Sequence, residues 1–134
     1  MTKLEAIEGI GAVYGEKLRA AGIGTIEALL EAGATPKGRR DLQEKTGIGG
    51  EYILDWVNRA DLMRVRGVGE EYGDLLEWAG VDTVVELAQR NPENLLARMT
   101  EVNTEKRLVR RMPTLDMVTE WVAQAKKLDR AVTY

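Results

Sequence analysis

The sequence predicts an all-α protein assembled from two tandem copies of one small helical unit, and three observations predict it. The stretch Gly-Ile-Gly-Ala-Val-Tyr-Gly at residues 9–15 returns as Gly-Val-Gly-Glu-Glu-Tyr-Gly at residues 67–73. The likeness continues at a constant offset of 58: Ile7, Leu18, Ala21, Gly22, Ile23, Thr25 and Leu29 face Val65, Leu76, Ala79, Gly80, Val81, Thr83 and Leu87. Within each copy, apolar residues recur three or four positions apart, the helical period, and no segment alternates as a strand would. An internal repeat of this extent dominates every other architectural signal in the chain.

The elements follow in order. Tyr14, Leu18 and Ala21 lie at i, i+4 and i+7, one face of a helix that Gly22 can end. Thr25 is placed to cap a short helix carrying Ile26, Leu29 and Leu30, stopped near Gly33. Thr35-Pro36 opens another helix, threonine as cap and proline at the first helical position, and Asn91-Pro92 repeats the device in the second copy. Gly47-Ile48-Gly49 makes a further turn before a helix with Ile53, Trp56, Val57 and Ala60 along one side. Residues 58–66 read as a continuous helical passage with no Gly/Pro linker, so a rigid tandem is expected. Asp55-Trp56-Val57 matches Glu120-Trp121-Val122 at the larger offset of 65, which puts extra residues of the second copy near 101–112. The expectation is about five short helices per copy, with units at residues 1–61 and 62–134.

Composition narrows the chemistry. The 134 residues are 44% hydrophobic, enough for one domain or two very small ones. A net charge of −3 supplies no global field that would draw the chain to nucleic acid, so polyanion binding has to come from local geometry. With no histidine and no cysteine, His-based acid–base catalysis, thiol nucleophiles, disulfides and zinc sites of the usual kind are excluded. The N-terminal residues carry charges at Lys3, Glu5 and Glu8 and do not resemble a signal peptide, and no apolar run has spanning length. A cytoplasmic protein with no membrane partner and no evident small-molecule substrate is expected.

Each copy begins with the pattern h-x-x-h-x-G-h-G-x-x-x-small-x-x-h. Leu4, Ile7, Gly9, Ile10, Gly11, Gly15 and Leu18 fill it first; Leu62, Val65, Gly67, Val68, Gly69, Gly73 and Leu76 fill it again. A weaker instance runs through Leu42, Gly47, Ile48, Gly49, Ile53 and Trp56, with Lys45 at an apolar position, and a fourth near Arg111-Met112-Pro113-Thr114-Leu115 lacks the glycines. This pattern resembles the helix-hairpin-helix motif. Two such hairpins joined by a helix are similar to the paired helix-hairpin-helix (SAM-like) domain of DNA repair, ligation and recombination proteins, here twice over. The full length also resembles an uncharacterised bacterial family of tandem proteins of this kind, a domain of unknown function.

The turn has a physical use. Its glycines allow close backbone approach, its middle apolar residue plugs the core, and the chain leaves it at a helix N-terminus whose free N–H groups can meet a phosphate oxygen. The resemblance implies sequence-independent gripping of a DNA backbone, often with a bound monovalent cation and no other cofactor. Matched residue by residue, the donors are the amides of Gly9, Gly11 and Ala12, then Gly47, Gly49 and Gly50, and more weakly Gly67, Gly69 and Glu70. The same turn also serves simply to join packed helices in protein-interaction modules.

Neighbouring charges discriminate among the turns. Lys17 and Arg19 follow the first, Lys45 precedes the third, and Pro36-Lys37-Gly38-Arg39-Arg40 lies one helix upstream. The second runs into Glu70 and Glu71, with Asp74 and Glu77 beyond, carboxylates that satisfy the helix dipole themselves and repel phosphate. That acidic stripe reads as a solvated face rather than a cation site. Lys106, Arg107, Arg110 and Arg111 form the most basic segment, either a phosphate contact, a cationic helix end or a clamp onto the acidic stripe. Trp56 and Trp121 occupy matched positions on apolar faces, as do Tyr14 and Tyr72 beside the turns, and all four read as packing residues. Trp78, facing Ala20, is the aromatic residue best placed for a surface role.

Non-enzymatic, weak and salt-sensitive binding of the DNA backbone is therefore the leading expectation. A protein-interaction or scaffolding module with structural hairpins is the alternative. Helix-hairpin-helix glycosylases and lyases are locally similar, but they need a catalytic Asp or Lys beside a base pocket. Asp82 and Lys17 have no such constellation around them, and no phosphate loop is present.

Overall fold

The computed structural model describes residues 2–134. A single 3-10 turn at Leu4–Ala6 precedes eight helices: α1 (Ala12–Ala20), α2 (Ile26–Ala32), α3 (Pro36–Thr46), α4 (Gly50–Leu62), α5 (Glu70–Trp78), α6 (Val84–Ala88), α7 (Pro92–Lys106) and α8 (Leu115–Lys127). The described residues contain no strand. No helix among them is long and apolar enough to cross a membrane. The chain divides into two compact units, one formed by the residues up to Asp61 together with Ala131–Tyr134, the other by Leu62–Arg130.

Helix starts are set by short polar side chains. The amides of Ala28 and Gly38 donate to the Thr25 and Thr35 hydroxyls at 3.1 and 3.0 Å, starting α2 and α3. In the second unit, Glu86, Asn94 and Met117 donate to Thr83, Asn91 and Thr114, starting α6, α7 and α8. Each such cap contributes about 1 kcal/mol.

The first unit buries Leu4, Ile7, Ile10, Leu18, Leu29, Ile48, Ile53 and Trp56. The second buries Leu62, Val65, Val68, Leu75, Leu76, Leu87, Leu95, Met99 and Trp121, with α8 packed on α6 and α7, and α5 on α7.

Three findings correct the reading of the sequence. The passage through residues 58–66 is not one helix: α4 stops at Leu62, and Val65 N–H turns back to the Leu62 carbonyl at 3.0 Å. The same bond joins Ile7 to Leu4 at 3.1 Å in the first unit. Breaking the helix there is what turns Val65 and Val68 into the core of the second unit. The second unit consequently holds four helices, with a turn where the first has its 3-10 element. The extra residues of the second copy are shared between two places. α7 has 15 residues against 11 in α3, and the connection to the next helix runs through residues 107–114 instead of 47–49.

The residues Ala131–Tyr134, outside the repeat pattern, pack with the first unit. Val132 is buried, and Thr133 N–H donates to the Ala34 carbonyl at 2.8 Å. Arg39 donates to the Gly33 carbonyl at 2.9 Å and the Thr133 carbonyl at 2.7 Å, and lies over the Tyr134 ring. The Tyr134 hydroxyl donates to the Asn58 side-chain oxygen at 2.6 Å.

Candidate nucleic-acid interface

The two leading glycine turns share one backbone geometry. Gly9 and Gly67 have φ of 95° and 94°, a left-handed conformation costly for any residue with a β-carbon. Ile10 and Val68 are buried as plugs, each donating its N–H at 3.1 Å to the carbonyl three residues back. The amides of Gly15 and Gly73 close the first helical turn on the carbonyls of Gly11 and Gly69, both at 2.8 Å. Behind each turn sits a tryptophan and a tyrosine: Tyr14 and Trp56 have ring centroids 5.2 Å apart, Tyr72 and Trp121 5.3 Å.

The exits from these turns differ in chemistry. The N-cap of α1 is Gly11, which has no side chain to offer, and no carboxylate lies in the first turn of that helix. Gly11, Ala12 and Val13 are exposed. α4 likewise begins at a glycine pair, and the amides of Tyr52 and Ile53 both donate to the Gly49 carbonyl. Glu51 is the one acidic residue of its first turn. Ring contacts bring the starts of α1 and α4 together, with Tyr14 and Tyr52 centroids 6.2 Å apart. In the second unit α5 starts at Gly69 but carries Glu70 and Glu71 in its first turn, and α8 is capped by Thr114. The first unit thus holds two adjacent glycine-headed N-termini; in the second, α5 has no capping side chain but places two carboxylates against its dipole, and α8 is capped.

Within the first unit, not every donor expected from the sequence is available. Gly47 N–H donates to the Gln43 carbonyl at 2.9 Å, closing α3, so it is already engaged. Gly50 lies against the Gln43 side chain, whose amide oxygen would meet a β-carbon at 2.8 Å. Lys17 stands 5.9 Å from the centre of the Tyr14 ring, one turn into α1, and Lys45 is exposed in the last turn of α3. Arg19 is committed to Glu5 through contacts of 2.6 Å to both carboxylate oxygens. That pair holds the Glu5 carboxyl below the usual carboxylate range, the Arg19 hydrogen bond being the largest cause. Arg39 is committed to the segment 131–134, as described above.

In the second unit, Lys106, Arg107, Arg110 and Arg111 are all exposed. Arg107 closes α7 in the left-handed conformation, its N–H donating to Asn103. Trp78, at the end of α5, is 55% exposed, and Lys106 Nζ lies 3.9 Å from its ring centre. Nothing in the sequence pairs these two residues; only the packing of α5 on α7 does. Asp82 and Glu86 form a hydrogen-bonded carboxyl pair around Thr83, which raises the Glu86 pKa, with partial burial adding to it. No group of three or more acidic side chains among the described residues is arranged to hold a metal ion.

Comparison with family models finds one described as Domain of unknown function (DUF4332), matching residues 8–128. Comparison with curated proteins gives no match. Comparison with solved structures gives none either.

Proposed function

The chain belongs to that family of domains of unknown function, and for it we propose non-enzymatic, sequence-independent binding of the DNA backbone through two tandem paired helix-hairpin-helix units, the first of which makes the grip. The observation that carries this reading is the start of α1. It is an exposed helix N-terminus with neither a capping side chain nor a carboxylate in its first turn. α2, α3, α6, α7 and α8 each satisfy an N-terminal amide with Thr or Asn. An unsatisfied N-terminus presents roughly half a positive charge and outward N–H groups, the complement of a phosphate. Its neighbour, the start of α4, offers the amide of Gly49, and the Tyr14–Tyr52 ring contact at 6.2 Å holds the two starts side by side for neighbouring phosphates of one strand. Lys17 and Lys45 add salt-sensitive attraction.

The test is a fluorescence-anisotropy titration with duplex and single-stranded oligonucleotides at low and moderate salt. Binding to duplex that weakens as salt rises is expected, because counterions are released from the DNA. No binding at low salt overturns the proposal. Gly11→Asp together with Gly49→Asp, which place carboxylates where phosphates would sit, should abolish binding while helicity survives.

A second reading has its own observation. Val13 and Tyr52 are 66% and 49% exposed on the same rim of the first unit as the glycine turns. Exposed apolar residues beside a packed aromatic cluster suit a protein partner as well. That reading predicts a specific co-purifying protein or a homo-oligomer, and indifference to DNA.

A further inference from the structure

The loop that lengthens the second unit is a built surface. Asn103 clamps it from both sides: its side-chain amide donates to the Val109 carbonyl at 3.1 Å, and Val109 N–H donates back to the Asn103 side-chain oxygen at 3.0 Å. Val109 is buried, and Leu108 and Met112 pack against the core. With the apolar residues of the segment turned inward, Lys106, Arg107, Arg110 and Arg111 stand in solvent.

The loop also runs along α5. Lys106 lies over Trp78 at one end of that helix, and the Tyr72 hydroxyl donates to the Arg111 carbonyl at 3.0 Å near the other. Trp78 and Tyr72 are six residues apart, about 9 Å along a helix axis. The four cations therefore lie on a loop whose first residue, Lys106, covers an exposed indole and whose Arg111 carbonyl meets Tyr72 near the opposite end of α5.

From this placement we infer that the second unit carries a separate contact for single-stranded nucleic acid, in which a base stacks on the face of Trp78 opposite Lys106 and the loop cations from Lys106 to Arg111 hold the adjoining phosphates. The inference deepens the proposed function and rests on it only for the class of ligand; it uses neither glycine turn. Two requirements of a single strand are met together: a planar π surface for the base and a row of positive charge for the backbone. An acidic polypeptide would use the cations but leave the indole without a stacking partner. Glu77 and Glu105, next to Trp78 and Lys106 in sequence, lower the net attraction, so binding belongs at low salt.

Tryptophan emission provides the test, because Trp56 and Trp121 are buried and Trp78 is the exposed reporter. The full chain is titrated with a thymidine oligomer of roughly 12 nucleotides, a length comparable with the site sizes of other single-strand-binding domains. Saturable quenching that fades with salt is expected. W78A should weaken anisotropy-measured affinity for the oligomer about 10-fold. The double variant R110S/R111S, which keeps the reporter, should reduce the slope of log affinity against log salt by about 1.4. Unquenched emission at low salt overturns the inference, as does a W78A affinity equal to the parent's or equal quenching by polyglutamate.

G11D separates this contact from the turns. If it abolishes duplex binding while the oligomer leaves Trp78 emission unmoved, the turn reading stands and this one falls. If quenching persists in G11D and no variant of the first unit alters duplex binding, the reverse holds.

Discussion

The indole nitrogen of Trp121 stands 2.8 Å from the point that a β-carbon on Gly67 would occupy, and Trp56 faces Gly9 in the same way at 3.4 Å. Each tryptophan is therefore held against the missing side chain of a glycine in another helix's turn. The tyrosine of the same turn packs on the tryptophan's ring. Glycine, tyrosine and tryptophan form one interlocking set, and this explains why all three recur together across the two copies. The glycine is needed twice over, for its positive φ and for the space.

Replacing these glycines should destabilise the two units unequally. Gly67→Ala forces a methyl group into the Trp121 ring and a residue with a β-carbon into the left-handed region; a loss of about 2–4 kcal/mol is expected from the two costs together. At Gly9 the tryptophan is 0.6 Å further from that point (3.4 against 2.8 Å), and the loss should approach the backbone cost alone, about 1–2 kcal/mol. Urea denaturation of the two variants, followed by circular dichroism, checks the order; equal losses would show that the tryptophan contact is immaterial.

Gly11 behaves oppositely because nothing lies within 4 Å of its β-carbon position and its φ is −90°. An aspartate there is free to cap α1 and complement its dipole, so Gly11→Asp should raise stability by a few tenths of a kcal/mol. The same carboxylate occupies the position proposed for phosphate. A variant that melts no lower than the parent yet loses duplex affinity at low salt separates binding from folding. If it binds duplex undiminished, α1 makes no phosphate contact.

What the sequence discloses and what it hides follow the range of the interactions. Threonine and asparagine caps, the proline starts of α3 and α7 and the packing of Trp56 and Trp121 are local or repeat-encoded, and they can be seen residue by residue. The end of α4 at Leu62 is hidden, because 58–66 contains no glycine or proline and tertiary packing of Val65 and Val68 overrides helix propensity. Equally hidden are the pairings of Arg39 with Thr133, Arg19 with Glu5 and Lys106 with Trp78, where each partner looks like an ordinary surface residue. The site is legible only as separate glycine turns. That the starts of α1 and α4 become neighbours follows from Tyr14, Tyr52 and Trp56 meeting in space.

The carboxyl pair in the second unit predicts a pH dependence. Glu86 is held above its ordinary value of 4.5 by its hydrogen bond to Asp82, by partial burial and by the Asp82 charge. The folded chain thus binds this proton more tightly than the unfolded chain. The stabilisation is full below the unfolded value and is lost as pH rises through the raised folded one. At neutral pH the pair is a liability. Glu86→Gln, which removes the charge and keeps the shape, should raise the thermal midpoint at pH 7 by about 2 °C and flatten its decline between mild acid and neutrality. An unchanged or lower midpoint at pH 7 contradicts this, and the measurement is a set of melts from pH 4 to pH 8.

The Arg39 guanidinium holds the Gly33 and Thr133 carbonyls and covers the Tyr134 ring. Arg39→Ala removes both charge-assisted hydrogen bonds and the ring contact from a partly exposed site, for a loss of roughly 1–2 kcal/mol. Arg39→Lys should recover little of it, since an ammonium cannot reproduce the two-pronged geometry. The effect should concentrate on the segment 131–134, where Thr133 N–H is bonded to Ala34 and Val132 is buried. Hydrogen exchange reports this directly: the Thr133 amide should lose protection in both variants, while amides of α1 and α4 that exchange only on global unfolding shift by no more than the overall loss of stability. Unaltered protection at Thr133 would mean that Val132 burial alone secures the segment.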